Sequence, residues 1–519
     1  MSDKIKILWA DDEIELLKPQ LYFLEKKGYE TLTVSNGHDA LDVLAENNDI
    51  DVIFLDESMP GLSGLETLSR IKVNNPHIPV VMITKNEAES IMEEAIGSQI
   101  DDYLIKPVNP NQILLTLKKL IDNKRLVSEK TAVNYQQEFR SILSEINSNP
   151  GYEEWVDIYR KIIMWEIRLD DSNNAAMKEI LDMQKKEANK EFSKYIVGNY
   201  LNWIKKSEGP MRSPDLMRQF VFPHVQNDRP TFFILLDNLR YDQWKIIEPL
   251  LTTHYRVETE EYFYSILPSA TQYSRNAIFS GLMPRDIEKK YPDWWLNDNE
   301  EGGKNLKEDE LFAEQAKRIM RKDAKVEYIK VTNNNSAKQL ADSIFNYMSN
   351  DLTAIVYNFI DTLSHTRTEM NVIKELAPDE KAYRSITKSW FLNSPLWTAL
   401  EKLSSKDINL IISTDHGTIR VRQPSRVIGD KETTTNLRYK VGKNLQYDKR
   451  DVLEIRDPHE AGLPKPNVSS AFIFAREDNY FLYPNNYNYF SNFYFDTFQH
   501  GGISLEEIVC PVIRLRPKA

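Results

Sequence analysis

The sequence predicts an α/β protein in three parts: a doubly wound domain, a helical bundle linker and a larger α/β domain. Three observations predict it. Over residues 5–123, short apolar runs alternate with segments of helical spacing. From 124 to 206 the apolar period becomes that of a helix and strand signals vanish. From 229 onward apolar runs return, several ending in aspartate or histidine. These shifts place domain boundaries at 1–123, 124–206 and 207–519.

Composition narrows the class. A length of 519 residues suffices for about three domains at roughly 150 residues each. Apolar residues at 41% and charged residues at 28% are an ordinary soluble balance. The net charge of −12 argues against nonspecific duplex DNA binding as the main activity, which needs a basic face. The single cysteine, Cys510, allows no internal disulfide and fits a reducing compartment. The opening "MSDKIKILWADDE" has no signal-peptide core, and no run approaches the ~20 apolar residues of a membrane span. The expectation is a cytoplasmic protein without a membrane span.

In the first domain, "IKILWA" (5–10), "DVIFLD" (51–56), "PVVMIT" (79–84) and "DYLIK" (102–106) read as buried parallel strands. Between them, "IELLKPQLYFLEKKG" (14–28) and "HDALDVLAEN" (38–47) have helical spacing. Doubly wound sheets gather ligands at the carboxyl ends of their strands. Asp11 and Asp12, Asp56, Thr84 and Lys106 all fall there. Three carboxylates at one edge repel unless a cation lies among them, and all-oxygen donors suit Mg²⁺. A lysine and a hydroxyl beside them suit an incoming phosphoryl oxygen.

This set resembles the receiver domain of two-component response regulators, through "ADDE", "FLDESMPGLSG", "MITKN" and "DYLIKP". The resemblance implies that Asp56 is the phosphoacceptor and that Asp11, Asp12 and Asp56 hold Mg²⁺. It further implies that Thr84 and Lys106 contact the phosphoryl group, that Tyr103 is the aromatic switch, and that a sensor histidine kinase is the partner.

The middle segment reads as three helices, the last one long. Trp155, Ile158, Tyr159, Ile162 and Leu169 make one stripe, and Phe192, Tyr195, Ile196, Leu201 and Ile204 make parts of another. "VNYQQEFRSILSEI" (133–146) supplies the first helix, and "NSNPG" (147–151) and "DDSNN" (170–174) break the run. No basic recognition helix is visible. Lys185, Lys186, Lys190 and Lys194 read as a solvated face, and the segment reads as a coupler into which the last helix of the first domain, 111–124, could run.

In the third part, "RPTFFILLDNLR" (229–240) is a strand ending in Asp237, and "TAIVYNFIDTLSH" (353–365) runs into Asp361 and His365. "INLIISTDHG" (408–417) ends in Asp415 and His416, and "FDTFQHGGIS" (495–504) carries His500. Asp361 and His365 share one face if a helix begins there. Mixed imidazole and carboxylate donors favour zinc or manganese over magnesium or calcium, and six ligands are too many for one tetrahedral ion and suit two. Thr271, in "LPSATQYSRN" (267–276), opens a helix. Its hydroxyl is a poor nucleophile until a metal lowers its pKa. The other five histidines, His38, His77, His224, His254 and His459, lack such a context and read as structural or surface residues.

These motifs resemble the alkaline phosphatase superfamily and, within it, the PglZ-type domain, across roughly 229–519 with long variable stretches between them. The resemblance implies two Zn²⁺ ions, one held by Asp237, Asp415, His416 and the Thr271 oxygen, the other by Asp361, His365 and His500, with Thr271 as the nucleophile of a phosphoryl transfer. Gly417 would let the backbone turn tightly beside the ion. The threonine, and the lack of a placeable third metal or phosphate arginine, resemble the phosphodiesterase branch. Asn276 and Arg438 are candidate substrate contacts, with Lys440 and Lys443 near a nucleotide backbone and Trp294 and Trp295 as stacking or packing residues. The expected substrate is a nucleotide phosphodiester, cyclic or a short oligonucleotide.

The three parts together resemble the response regulators associated with type IX secretion. That resemblance implies homodimerisation on phosphorylation and an effect on secretion genes and components, with a sigma factor as intermediary. Two other readings remain open at this point: a zinc-stabilised, non-catalytic scaffold that binds a partner, and a transcriptional regulator acting through a sigma factor.

Overall fold

The computed structural model describes residues 5–47, 49–75, 78–85, 100–170, 175–206, 208–225, 229–320, 323–369, 375–430 and 433–518. Five parallel strands form the first sheet, in the order Glu30–Val34, Lys6–Ala10, Val52–Asp56, Val80–Thr84, Asp102–Ile105. Alternate side chains feed two cores. Leu8, Ile53, Leu55 and Met82 pack on one face, and Ile7, Trp9, Phe54 and Ile83 on the other. Parallel strands covered on both faces need such unbroken apolar runs.

One helix differs from the sequence pattern. A tight turn covers Ile14–Leu17, and the helix is Lys18–Lys26, with Pro19 in its first turn. Proline lacks the N–H that an interior helix position donates, so the helix starts where that loss costs nothing.

Helix Pro110–Leu117 continues through a wider turn, Lys118–Asp122, into helix Asn123–Asn147. The chain divides into two compact units, 1–134 and 135–519, so the division falls inside that helix. Helices Tyr152–Asp170 and Ala175–Lys206 follow, and the break predicted between them falls at 171–174, outside the described residues. These helices share one hydrophobic core with the C-terminal sheet. Tyr159 meets Tyr241 at 5.9 Å between ring centroids, and Phe192 meets Tyr264 at 6.1 Å.

The large sheet has six strands, ordered Tyr255–Tyr264, Val509–Pro517, Asn409–Ser413, Thr231–Leu236, Leu352–Tyr357, Val326–Val331. The last four run parallel, and the first two are antiparallel additions at one edge. Asn409–Ser413, Thr231–Leu236 and Leu352–Tyr357 are adjacent and wholly buried. Being parallel neighbours, they open their carboxyl ends on one edge. A small antiparallel pair, Ile419–Val421 with Thr497–Gln499, leads the chain to His500. Among the described residues, no helix is long and apolar enough to cross a membrane.

Two candidate sites at strand ends

The first site lies at the carboxyl edge of the five-stranded sheet. Asp11, Asp12 and Asp56 bring one oxygen each within 4.8 Å of one another. Lys106 Nζ bridges two of them, 2.9 Å from Asp11 Oδ2 and 3.0 Å from Asp56 Oδ2. Burial pushes the Asp56 carboxyl up to about 6, against the hydrogen bond from Lys106. Burial opposes the charge of Lys106, but its bonds to Asp11 and Asp56 prevail and hold its pKa above the ordinary lysine value. Thr84 donates its hydroxyl to Glu57, and Tyr103 is exposed.

The second site lies at the edge of the large sheet. Asp237 follows strand Thr231–Leu236, Asp415 and His416 follow Asn409–Ser413, and Asp361 and His365 lie one turn apart on helix Phe359–Glu369. Donor atoms of Asp237, Asp415 and His416 lie within 4.8 Å of one another, as do those of Asp361, His365 and His500. The two groups adjoin, because the His416 and His500 rings stack at 4.3 Å. Thr271 is the first residue of helix Thr271–Ser280, with Oγ1 3.1 Å from His416 Nε2 and 3.4 Å from Asp237 Oδ1. His416 Nδ1 lies 3.0 Å from the Gly417 carbonyl. A proton on Nδ1 satisfies that contact and leaves the Nε2 lone pair facing Thr271 and Asp415.

The donor set fits divalent metal. Asp415 Oδ2 is buried without a hydrogen bond. Burial, then the Asp237 carboxylate, pushes Asp415 up to about 7 and raises Asp361. Burial, then His416 and His365, pushes His500 well below its ordinary value, toward the neutral ligating form. Crowded acids and neutral imidazoles facing one space are what a cation relieves.

Two residues of this site escaped the sequence reading. Asn238 adopts φ +66°. Its N–H donates to Asp415 Oδ1 at 3.2 Å and its amide to Asp361 Oδ1 at 3.2 Å, tying the two groups together. Asn directly after a strand-end Asp was the available signal, since Asn tolerates the left-handed region. Arg275, one turn after Thr271, is buried and donates to Asp237 Oδ2 at 2.7 Å and to Glu308. Its guanidinium is occupied by carboxylates.

Other expectations are corrected. Arg438 is fully buried and grips Glu507 at 3.0 and 2.7 Å, so it does not face a substrate. Asn276 donates its amide to the Gln272 and Lys304 carbonyls, at 2.8 and 3.0 Å, and is likewise buried. Lys440 is buried against Tyr483. Of the two readings for the tryptophans the packing one agrees with the contacts: Trp294 stacks on Tyr291 at 4.5 Å, and Trp295 packs edge-on against Tyr273. Lys185 is not on a solvated face: it bridges Glu166 at 2.9 Å and Glu506 at 3.2 Å, whereas Lys190 and Lys194 do pair at the surface. Gly417 has no positive φ, and its need for glycine is a close approach: an added Cβ would stand 2.0 Å from the Glu506 carbonyl oxygen. His77 lies outside the described residues.

Family models match three consecutive stretches. They are a response regulator receiver domain over 7–118, a PorX response regulator linker domain over 125–204, and a BREX system PglZ alkaline phosphatase-like domain over 216–515. This order is the PorX-type architecture. The alkaline phosphatase synthesis transcriptional regulatory protein PhoP of Bacillus subtilis is 28% identical over 152 residues, 29% of this chain and 62% of that protein. The heme response regulator HssR of Staphylococcus epidermidis is 35% identical over 117 residues, 22% of this chain and 51% of that protein. A solved response regulator receiver domain protein from Clostridium thermocellum is 35% identical, covering 24% of this chain and 98% of that one, with a TM-score of 0.23. The chain thus spans less than two thirds of the length of these curated relatives.

Proposed function

The chain belongs to the PglZ alkaline phosphatase-like family, joined to a response regulator receiver, and from that membership we propose a zinc-dependent phosphodiesterase under phosphorylation control. The receiver implies a histidine kinase partner. Asp56 is the phosphoacceptor of this proposal, with Mg²⁺ held by Asp11, Asp12 and Asp56, and phosphorylation drives homodimerisation. The substrate is a nucleotide phosphodiester, cyclic or a short oligonucleotide, and the output bears on type IX secretion, with a sigma factor and secretion components as partners.

One observation carries the catalytic reading: two three-residue donor groups adjoin, and the Thr271 hydroxyl lies 3.1 Å from a ligand candidate of one of them. Bound zinc at these groups would lower the pKa of a hydroxyl and stabilise phosphoryl charge. Thr271 Oγ1, at the amino end of its helix, attacks phosphorus and displaces the first alcohol. The hydroxyl proton leaves with that alcohol; the threonyl ester, which keeps the second alcohol, is then hydrolysed by water, restoring the Thr271 hydroxyl and releasing a phosphomonoester. The helix amides face the anionic group at that end. His416 is held by the Gly417 carbonyl with Nε2 toward Thr271, and Asp237 is fixed by Arg275 on its other oxygen. The substrate is bound without Arg438 or Asn276, whose polar groups are spent internally.

Hydrolysis of bis-nitrophenyl phosphate by the wild type and by Thr271→Ala, with metal analysis of both, tests the reading. The variant is expected to keep its zinc and to lose hydrolysis by about 10³-fold or more. Equal rates would remove Thr271 from the chemistry.

A further inference from the structure

The loops that carry Asp415, His416 and His500 rest on one four-residue turn, Leu505–Ile508. Gly417 N donates to the Glu507 carbonyl at 3.2 Å, and the Glu506 carbonyl leaves no room for a Cβ at 417. Ser265 N donates to the Ile508 carbonyl at 2.8 Å, while Ser265 Oγ donates to the Asp415 carbonyl at 2.8 Å. Gly502 N, two residues past His500, donates to Glu507 Oε1 at 2.9 Å. The backbones next to ligand candidates from both groups therefore bear on the same turn.

The other side of that turn is gripped by the linker. On helix Ala175–Lys206, Asn189 accepts from Leu505 N at 2.8 Å and donates to Glu506 Oε2 at 3.0 Å. Lys185, one turn earlier, reaches Glu506 Oε1 at 3.2 Å and Glu166 Oε2 of the neighbouring helix at 2.9 Å. Asn189 and Glu506 are both buried, so each lost bond strands a polar group.

We propose that Asn189 and Lys185 are positioning residues, through which the linker helix holds the Leu505–Ile508 turn and so keeps both metal-binding groups in register. A shift of that helix is then read directly by Gly417 and Gly502. This rests on the hydrolase reading above and extends it to the control of that site.

The test compares the full-length wild type, Asn189→Ala and Lys190→Ala by residue-resolved hydrogen exchange, by zinc titration of the metal-free chain, and by kcat and KM on bis-nitrophenyl phosphate. Lys190 neighbours Asn189 but pairs with Glu187 at the surface, so its variant should match the wild type throughout. Asn189→Ala is expected to speed exchange at 414–418 and 500–505 while leaving 231–236 protected. The zinc needed for half-maximal occupancy should rise, or kcat fall, by roughly 10–100-fold with KM unchanged. Unchanged exchange and zinc requirement in Asn189→Ala would overturn the proposal. Should that variant fail to fold, Asn189→Asp takes its place, keeping an acceptor for Leu505 N and setting like charge against Glu506. A wild type that neither binds zinc nor hydrolyses the ester sinks the hydrolase reading, while the exchange comparison still decides whether Asn189 positions the turn.

Discussion

In the receiver, Asp11, Asp12 and Asp56 come from two neighbouring strands, and a lysine that retains some solvent contact bridges two of them. In the C-terminal domain, six ligand candidates come from segments around 237, 361–365, 415–416 and 500, fixed by the buried Arg275 and by main-chain amides. Both arrangements crowd carboxylates at parallel strand ends, and burial raises carboxyls in each: Asp56 to about 6 in one, Asp415 to about 7 together with Asp361 in the other. What differs is the access and the donor type. At the receiver edge Asp12 is exposed while Asp11 and Asp56 are buried, whereas Asp237, Asp415 and His416 are all buried. All-oxygen donors suit Mg²⁺, and mixed imidazole and carboxylate donors suit zinc.

Metal exchange separates the two donor types most directly. Zinc-selective chelation should lower hydrolysis by about 10³-fold or more, several kcal/mol of lost charge stabilisation, and Mg²⁺ should not restore it. Phosphorylation of Asp56 by a small phosphodonor should follow Mg²⁺ and ignore the chelator. If Mg²⁺ restored hydrolysis as well as zinc does, the donor-type distinction would fail.

A smaller effect separates the two ion-paired cations, Arg275 and Lys106. Arg275 lies between Asp237 and Glu308, all three buried. Arg275→Met strands both acids and should cost the C-terminal unit about 3–5 kcal/mol. Lys106→Met should cost the receiver less, about 1–2 kcal/mol, because Asp56, with a pKa of about 6, takes up a proton at modest cost. Denaturant-dependent hydrogen exchange reads the two units separately. Equal losses would mean that the lysine is as structural as the arginine.

The same contrast explains what the sequence could and could not disclose. Receiver residues sit directly at the ends of apolar runs, as in "FLD" and "DYLIK", so period and punctuation locate them. Asp237, Asp415 and His416 were legible for the same reason, and Asp361 and His365 through their helical spacing. Arg438 and Asn276 misled because a polar residue near a site looks the same in sequence whether it faces ligand or is buried on Glu507 or a carbonyl. Lys185 misled for a related reason: among spaced lysines, nothing local marks the one whose partner, Glu506, lies more than 300 residues away. Arg275 and Asn238 act through such long-range contacts too, and only the closed sheet brings their partners to them.

The smallest effect concerns how each region treats a lysine drawn away from solvent, in part for Lys106 and wholly for Lys440. Lys106 is surrounded by acids and its pKa is raised. Lys440 has the Thr434 carbonyl at 3.0 Å and the Tyr483 ring at 4.5 Å, and burial pushes it down to about 7. In the unfolded chain it keeps its proton to about 10.4. Between about 7 and about 10.4 the unfolded state therefore binds more protons than the folded one, and stability rises with pH through that window. Below about 7 both states carry the charge and the folded one bears the full cost of burying it. Lys440→Met removes that cost, so the variant should be more stable than the wild type at pH 7 by about 1–3 kcal/mol, the carbonyl and ring contacts offsetting part of the burial. The two should converge as pH approaches 10, read as the difference between their denaturant midpoints in parallel titrations. A constant difference across the window would mean that Lys440 keeps its proton in the fold, held by Thr434 and Tyr483, and that this region tolerates a buried charge as the receiver does.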